Sequence, residues 1–459
     1  MSKINFGTDG WRAILGDDFT FENTDKVINA IAIYVHNESK YDKKIIIGYD
    51  PRNKADEFAF YIAEKLARFG FDVEVADKIT ATPVLAYAAL KRNAYAIMLT
   101  ASHNPPEYLG IKFIPEYGGP AEDEMIKKIV AELENKFITS EGRKEYKKVS
   151  FDEDYVEHIK TIINFEKIKT AGIKINYDGH HGAAAKLFEK ILNSYCIENE
   201  CFNMERDITF GGFMPDPKEK YLPTLKAECQ KTGLIGLSND GDGDRFGCFN
   251  EKGEFVSANE IIAILLKHLI QNKKLSGKLA KTVGASSMLD LVAKLENIDV
   301  VETAVGFKWL GSIMRKDDII IAGEESGGLS IKGHIPEKDG IIANLLIMEA
   351  MADFKRPLFV LQEDLKKTVN RNFINNRVDL KLASKEEQDK IIKKFSTYKN
   401  IGSYSIEKTN SIDGLKLYLN EGSSILIRKS GTEPLLRIYF ETDKEEKLLE
   451  LQNSVKELC

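Results

Sequence analysis

The sequence predicts an α/β protein made of several domains, followed by a smaller α+β domain at the carboxyl end. Its 459 residues exceed what one hydrophobic core usually serves, since domains average about 150 residues. Short apolar runs typical of strands alternate with segments of helical periodicity, and this alternation recurs in three successive blocks. After residue 367 strand-like runs dominate, and we therefore expect a fourth, smaller domain there.

The first block opens with the apolar, β-branched run Lys44–Tyr49, which predicts a buried strand. A helix is expected at 56–69, because apolar residues recur there every three or four positions and Gly70 ends the pattern. Tyr95–Leu99 is a second buried strand of the same type. Strand, helix and strand in this order indicate a βαβ arrangement.

The later blocks repeat this pattern without any close repeat of the sequence itself. The predicted elements are a strand at 173–177, a helix at 183–192 and a strand at 234–237, then a helix at 259–270, a strand at 319–322 and a helix at 341–351. In the last part we expect strands at Leu415–Leu419, 424–427 and 435–440, and a charged helix at 444–458. The domains are therefore placed at 1–150, 151–254, 255–367 and 368–459.

Composition and charge exclude several classes of protein. With 43% hydrophobic residues the chain is not disordered, and its net charge of −6 argues against a general nucleic-acid-binding surface. The five cysteines form no C-x-x-C pair, which is typical of a reducing compartment. The amino terminus has no apolar signal segment, and no apolar run is long enough to span a bilayer. We expect a cytoplasmic protein that binds neither nucleic acid nor membrane.

Four polar loops each follow an apolar strand. They lie at 100–106, 240–245, 323–328 and 428–434. Ligand sites of open α/β sheets lie at the carboxyl ends of the strands. The positions of these loops therefore predict one cleft shared by several domains.

The loop at 240–245 carries the clearest chemical signal. Asp240, Asp242 and Asp244 alternate with glycines, and carboxylates this close repel one another unless a cation lies among them. Hard oxygen ligands favour Mg²⁺. An EF-hand is excluded, because Arg245 stands where that loop needs glycine and a strand precedes it. The remaining alternative is a solvated acidic turn.

The other loops are less specific by themselves. Ser102 beside His103 is a possible nucleophile, although a plain turn would be the more common interpretation. Arg428 opens a basic loop rich in hydroxyls that could hold an anion or simply form a hairpin turn. The loop at 323–328 offers acceptors for sugar hydroxyls, or is a plain turn.

Taken in order, five motifs resemble those of the α-D-phosphohexomutases, the phosphoglucomutase/phosphomannomutase family. They are FGTDGWR, TASHNPPEYLGIKF, DGDGDR, GEESGG and RKSGTEP. The resemblance runs from Phe6 to beyond Pro434. It implies four domains around a central cleft: three related mixed α/β domains, and a smaller C-terminal α+β domain that resembles the TATA-binding protein.

The resemblance also implies a role for each motif residue. Ser102 matches the phosphorylated serine and supplies a ligand to one Mg²⁺ per chain, together with Asp240, Asp242 and Asp244. Lys112 matches a lysine assigned to proton transfer, which requires a lowered pKa. The other implied residues are Arg12 and His103 beside the phosphoserine, Glu324 and Ser326 at the sugar hydroxyls, His334 and Lys338 as further substrate contacts, and Arg428, Ser430, Gly431 and Thr432 around the phosphate that is not transferred.

The implied activity is that of a phosphoglucomutase. Phospho-Ser102 would exchange its phosphoryl with glucose 1-phosphate and glucose 6-phosphate through glucose 1,6-bisphosphate. GEESGG resembles the glucomutase form of the sugar loop, and Gly328 stands where other members have histidine. A dual glucose and mannose mutase, a Mg²⁺-dependent serine phosphatase and an inactive binding protein stay open. Sugar phosphates are the expected partners, and a monomer or homodimer the expected state.

Overall fold

The computed structural model describes residues 4–7, 10–38, 43–137, 142, 144–429 and 434–458. They form three mixed α/β domains and a smaller, β-rich fourth domain. This confirms the predicted fold class.

The first domain is built on a seven-stranded sheet in the order β1-β2-β6-β5-β3-β4-β7. A further helix, α5, follows it along the chain. The elements are β1 Phe6–Gly7, β2 Gly10–Ile14, α1 Phe21–Glu38, β3 Lys44–Tyr49, α2 Ala55–Arg68, β4 Asp72–Ala76, α3 Thr82–Arg92, β5 Tyr95–Leu99, β6 Tyr108–Ile114, α4 Asp123–Ala131, β7 Lys147–Val149 and α5 Asp152–Ile162.

The second domain has five strands in the order β12-β11-β10-β8-β9. Its elements are α6 Phe165–Thr170, β8 Ile175–Asp178, α7 Ala185–Ser194, β9 Asn199–Phe202, α8 Pro223–Thr232, β10 Ile235–Asn239, β11 Phe246–Phe249 and β12 Phe255–Val256.

The third domain has four strands in the order β14-β13-β15-β16. Its elements are α9 Ala258–Gln271, β13 Lys278–Thr282, α10 Met288–Leu295, β14 Val300–Thr303, α11 Phe307–Met314, β15 Ile319–Glu324, β16 Gly328–Ile331, α12 Gly340–Phe354 and α13 Leu358–Val369.

The fourth domain has six strands in the order β17-β22-β21-β20-β19-β18. Its elements are β17 Ile374–Lys381, α14 Lys385–Phe395, β18 Asn400–Ile401, β19 Tyr404–Asn410, β20 Leu415–Leu419, β21 Ser424–Lys429, β22 Leu435–Thr442 and α15 Glu445–Leu458. Neighbouring strands in this sheet pair antiparallel.

The first three sheets share one four-stranded core. It is β4-β3-β5-β6 in the first domain, β9-β8-β10-β11 in the second and β14-β13-β15-β16 in the third. In each case three strands are parallel and the last one is antiparallel. The hairpin before that last strand is the Ser102 loop, the Asp240 loop or the Glu324 loop. Three of the predicted loops are thus equivalent by topology.

The strand topology gives four sheets, but the hydrophobic packing gives two main cores. One continuous hydrophobic core runs through the first three domains, whereas the fourth has a separate core. Helix α12 is buried from Gly340 to Ala352 and packs against β10 and β11 of the second domain as well as β16 of its own. Burial on every side explains why this helix is apolar all round. Within the described residues, no helix is both long and apolar enough to cross a membrane.

Candidate active site

Ser102 lies at a strained position just beyond β5. Its φ is 51°, in the left-handed region that few side chains adopt. Its N–H donates to Thr100 Oγ1 at 2.7 Å, and the residue is only 3% exposed. Such conformations persist where the surroundings enforce them, and they cluster at functional sites. The Ser102 hydroxyl is therefore presented by a fixed backbone.

Arg52, in the segment between β3 and α2, enforces this loop. The side chain is fully buried and donates to the carbonyl oxygen of Ser102 at 2.7 Å. It also donates to the carbonyls of Asn104, Pro105 and Tyr108. The buried guanidinium therefore gives each of these four carbonyl oxygens a donor, so none is left as an unsatisfied acceptor. In the sequence, an Arg three residues after the predicted strand Lys44–Tyr49 was the only available signal.

Asp50 balances the charge of Arg52 beneath the loop. Its Oδ2 lies 3.2 Å from Arg52 Nε and accepts the hydroxyl of Thr100 at 2.6 Å. Burial raises the pKa of Asp50 to about 6, although Arg52 and Thr100 act in the opposite direction. The Ser102 loop thus stands on a buried ion pair.

The three aspartates of the second domain meet beneath Ser102. Asp240, Asp242 and Asp244 are all at most 1% exposed, and one oxygen from each lies within 4.8 Å of the others. Asp240 Oδ2 accepts the Ser102 hydroxyl at 3.1 Å. Asp242 Oδ2 accepts the hydroxyl of Thr82 from the first domain at 2.7 Å. The cluster therefore joins two domains.

The electrostatics of this cluster favour a cation. Burial raises the pKa of Asp240 well above its ordinary value, and the neighbouring Asp242 and Asp244 raise it further. Oδ1 of Asp242 and Oδ1 of Asp244 are buried and accept no hydrogen bond from the described residues. Unsatisfied carboxylate oxygens this close together match the ligand preference of Mg²⁺. The residues present therefore fit the predicted metal.

Lys112 lies in the same cluster, on β6. Its Nζ is 3.0 Å from Asp244 Oδ2 and 3.9 Å from Glu337 Oε2. Burial alone would lower the pKa of Lys112, but Glu337 and Asp244 raise it above its ordinary value. The direction is opposite to the lowering that the proton-transfer role requires. The sequence could not show this, because Glu337 comes from the third domain.

Arg12 and His103 lie on the open side of Ser102. Arg12 donates to Asn104 Oδ1 at 2.8 Å, and Nδ1 of His103 is 3.3 Å from the Ser102 hydroxyl. Burial and the nearby Arg245 lower the pKa of His103 well below its ordinary value, so it is neutral. The structure places His103 against the serine hydroxyl and Arg12 against Asn104 of the same loop.

Glu324 and Ser326 lie together at the end of β15. Ser326 donates to Glu324 Oε1 at 2.8 Å. Burial raises the pKa of Glu324 to about 7 against the effect of the nearby Lys338. A carboxylate and a hydroxyl joined in this way can accept and donate to vicinal sugar hydroxyls.

Lys338 links the sugar loop to the metal loop. Its Nζ is 3.2 Å from Asp244 Oδ2, and its stem passes Gly328. A Cβ on residue 328 would lie 2.4 Å from Lys338 Cδ. Glycine at 328 therefore permits this path of the lysine, whereas a histidine at this position would displace it.

Two residues predicted to bind substrate, His334 and Arg428, are bound to other side chains of the protein. Both ring nitrogens of His334 are engaged, Nε2 by Asp339 and Nδ1 by His158. The Arg428 guanidinium is held by Asp413 Oδ2, at 2.9 Å from Nε. Ser430, Gly431 and Thr432 lie outside the described residues.

Family models match nearly the whole chain in four pieces. The models for Phosphoglucomutase/phosphomannomutase alpha/beta/alpha domains I, II and III match residues 3–139, 153–253 and 257–369, respectively. The model for the C-terminal domain of the same family matches residues 374–458.

Individual relatives align over nearly the whole chain, but their sequence identity to it is low. A phosphoglucosamine mutase from Clostridium botulinum (strain Loch Maree / Type A3) is 28% identical over 471 aligned positions, which cover 99% of this chain and 98% of the relative. One from Clostridium novyi (strain NT) is 29% identical, with 99% and 98% covered. The solved structure of parafusin, a phosphoglucomutase from Paramecium, superposes with a TM-score of 0.88 at 21% identity, covering 100% of this chain and 95% of that one.

Proposed function

Because this chain belongs to the phosphoglucomutase/phosphomannomutase family, we propose that it interconverts glucose 1-phosphate and glucose 6-phosphate. The enzyme is a phosphohexomutase, and the choice of glucose is the proposal. The single observation that carries the chemistry is the contact of Ser102 with Asp240 at 3.1 Å across two domains. That contact joins a nucleophile to a carboxylate cluster suited to a metal.

Ser102 is the phosphoryl carrier in this proposal. Its Oγ–P bond breaks while a bond forms between phosphorus and the 6-oxygen of glucose 1-phosphate. The proton of that hydroxyl ends on Ser102 Oγ, so the transfer is balanced. The reverse step takes the 1-phosphoryl of glucose 1,6-bisphosphate back to Ser102 and releases glucose 6-phosphate. Burial of Ser102 limits the access of water, which would otherwise hydrolyse the phosphoserine.

Asp240, Asp242 and Asp244 would hold the metal, with Ser102 beside them. When bound, Mg²⁺ offsets negative charge on the moving phosphoryl. Arg12 and the neutral His103 position the phosphoryl from the other side. Lys112 carries its proton here, since its pKa is raised, and it enters the proposal as a cation that offsets phosphoryl charge.

Glu324 and Ser326 are proposed to hold the sugar. Ser326 donates to Glu324 at 2.8 Å. The nearby Lys338 contacts Asp244 and so connects this pair to the three aspartates. Glucose is favoured by the GEESGG form of this loop, which resembles the glucomutase form. Glucosamine phosphate is the second candidate, because relatives that match 99% of this chain are phosphoglucosamine mutases.

The test is a competition followed by ³¹P NMR. The protein is mixed with Mg²⁺, trace glucose 1,6-bisphosphate and equal amounts of glucose, mannose and glucosamine 1-phosphates. We expect glucose 1-phosphate to convert first. Faster conversion of glucosamine would overturn the choice of sugar, and equal rates for glucose and mannose would make the enzyme a dual mutase. Free phosphate without 6-phosphate would instead identify a phosphatase.

A further inference from the structure

Helix α3 of the first domain begins against the metal loop of the second domain, residues 240–245. Thr82 is the first residue of this helix, and it is fully buried. Its N–H donates to the carbonyl oxygen of Asp242 at 2.8 Å. Its hydroxyl donates to Asp242 Oδ2 at 2.7 Å. One residue of the first domain therefore holds both the main chain and the side chain of a candidate metal ligand.

This contact supplies a cap that α3 lacks in its own sequence. The residue before the helix is Ala81, whose side chain cannot accept a hydrogen bond, and Pro83 has no N–H. The first N–H groups of a helix need acceptors from outside the helix. For Thr82 that acceptor is the carbonyl of Asp242. The start of α3 and the metal loop therefore fix each other.

The metal loop is held on another side by the start of α7. Ala183, two residues before that helix, donates its N–H to the carbonyl of Gly241 at 3.0 Å. Gly243 lies between the two helix starts, since a Cβ on it would be 3.0 Å from the Cβ atoms of both Ala81 and Ala184. The φ of Gly243 is 79°, which also favours glycine. Because the main chain of the loop is held by both domains, the orientation of the aspartate side chains is what remains to be set.

The two oxygens of the Asp242 side chain have different surroundings. Oδ2 accepts the Thr82 hydroxyl and lies 3.9 Å from Lys112 Nζ. Oδ1 is buried and accepts no hydrogen bond from any residue that the structure describes. The Thr82 hydroxyl therefore occupies one oxygen, sets the plane of the carboxylate and leaves the other oxygen for a cation.

We infer that Thr82 is a positioning residue for the metal, because its hydroxyl holds the Asp242 carboxylate with Oδ1 available as a ligand. The inference rests on the metal site of the proposed function. Removing a group that orients a metal ligand typically weakens metal affinity about 10–100-fold. Thr82 belongs to the domain that carries Ser102, so the affinity for the cation depends on the docking of the first domain on the second.

The test is metal binding by the whole protein, measured without substrate. Mn²⁺ is the probe, because it takes the same oxygen ligands as Mg²⁺ and its electron paramagnetic resonance signal distinguishes free from bound ion. Thr82→Val has nearly the shape of threonine but no hydroxyl, whereas Thr82→Ser keeps the hydroxyl. We expect Thr82→Val to bind Mn²⁺ roughly 10-fold more weakly than the wild type, and Thr82→Ser to bind it like the wild type.

The matched control is Thr80→Val. Thr80 is also buried, but its hydroxyl donates to the carbonyl of Lys78 at 3.3 Å and not to a metal ligand. This variant loses a buried threonine hydroxyl from the same segment and should bind Mn²⁺ like the wild type. Circular dichroism reports whether each variant is folded. If Thr82→Val does not fold, Thr82→Ala removes the same hydroxyl with less bulk and takes its place.

The mutase assay gives a second measurement. In Thr82→Val the Mg²⁺ concentration at half-maximal activity should rise by a similar factor, while kcat at saturating Mg²⁺ changes much less. A general loss of structure would lower kcat at every Mg²⁺ concentration.

The inference is overturned if the variant without the hydroxyl binds Mn²⁺ as tightly as the wild type. It is also overturned if Thr82→Ser binds as weakly as Thr82→Val, or if Thr80→Val is weakened to the same extent. If Mn²⁺ binding changes as expected but no mutase activity is found, only the proposed function fails. If the wild type binds no Mn²⁺, the metal site and this inference fail together.

Discussion

At the scale of single residues, the carrier role of Ser102 gives the most direct prediction. Ser102→Ala removes the only hydroxyl that contacts Asp240 among the described residues. We expect mutase activity to fall below detection while thermal unfolding changes little, since the hydroxyl is not part of the apolar core. Incubation with radiolabelled glucose 1,6-bisphosphate should label the wild type and not the variant. Substantial turnover by Ser102→Ala would exclude the serine as carrier.

The metal loop predicts a change in magnesium dependence. Asp242→Asn removes a charge and one of the two unsatisfied oxygens of the cluster. We expect about a 10-fold to 100-fold higher Mg²⁺ concentration at half-maximal activity. The matched control is Asp207→Asn, on an exposed loop of the same domain. An unchanged titration with Asp242→Asn would place the metal elsewhere.

Glu324 gives a prediction about pH and stability. Burial raises the pKa of Glu324 from its ordinary value of 4.5 to about 7 in the folded protein. The folded state thus binds this proton more tightly than the unfolded chain, and the free energy of unfolding should fall as the pH rises from about 4.5 to 7. Glu324→Gln should remove this loss, about 3 kcal/mol near pH 8.

The comparison is made by urea denaturation of the metal-free protein near pH 5 and near pH 8. Glu324→Gln should lose sugar turnover while gaining stability at the higher pH. Parallel stability curves for wild type and variant would mean that the Glu324 carboxyl is not strained by burial.

At the scale of elements, the hairpin between β5 and β6 depends on Arg52. Arg52→Lys keeps the charge but cannot donate to four carbonyl oxygens at once. Because carbonyls left without a donor each cost about 1–3 kcal/mol, we expect a loss of roughly 3–5 kcal/mol in the free energy of unfolding and a larger proportional loss of kcat than of substrate affinity. The exposed Arg68→Lys on α2 is the matched control. Equal kinetics in both variants would show that the hairpin holds its shape without Arg52.

The sequence predicted which hairpin residues carry the chemistry better than it predicted the buried residues that hold the hairpins in place. The three aspartates were found because their spacing in one short loop has a chemical meaning, and Ser102 was found through the order of motifs that resembles a known family. Arg52 was missed because its partners lie some 50 residues further along the chain, where only the fold brings them together. The raised pKa of Lys112 depends on Glu337 of another domain for the same reason. Long-range charges are not visible in local patterns.

At the scale of the whole molecule, the fourth domain should unfold separately. It has its own core, and polar contacts join it to the third domain. Lys416 donates to the carbonyl of Val283 at 2.8 Å, and Glu441 Oε1 accepts the N–H of Ser287 at 3.0 Å. We expect two transitions in calorimetry, with the smaller one moved to lower temperature in Glu441→Gln.

If both the wild type and Glu441→Gln show a single transition, the fourth domain unfolds cooperatively with the first three. Exchange of backbone amides for deuterium would locate the change, since β20–β22 should lose protection before β8 and β10.

The alternation of strands and helices predicted the α/β class and the smaller last domain. It did not reveal that three sheets have the same strand order, because that order depends on which strands pair, and the three blocks share no close sequence repeat. The fourth strand of each core is antiparallel, a feature that a run of apolar residues cannot show.

The equivalence of the three hairpins has an evolutionary consequence. The proposed phosphoryl carrier, metal ligands and sugar contacts each occupy the equivalent hairpin of a different domain. Substitutions in the hairpin proposed to meet the sugar can therefore change substrate preference without altering the carrier or the metal ligands.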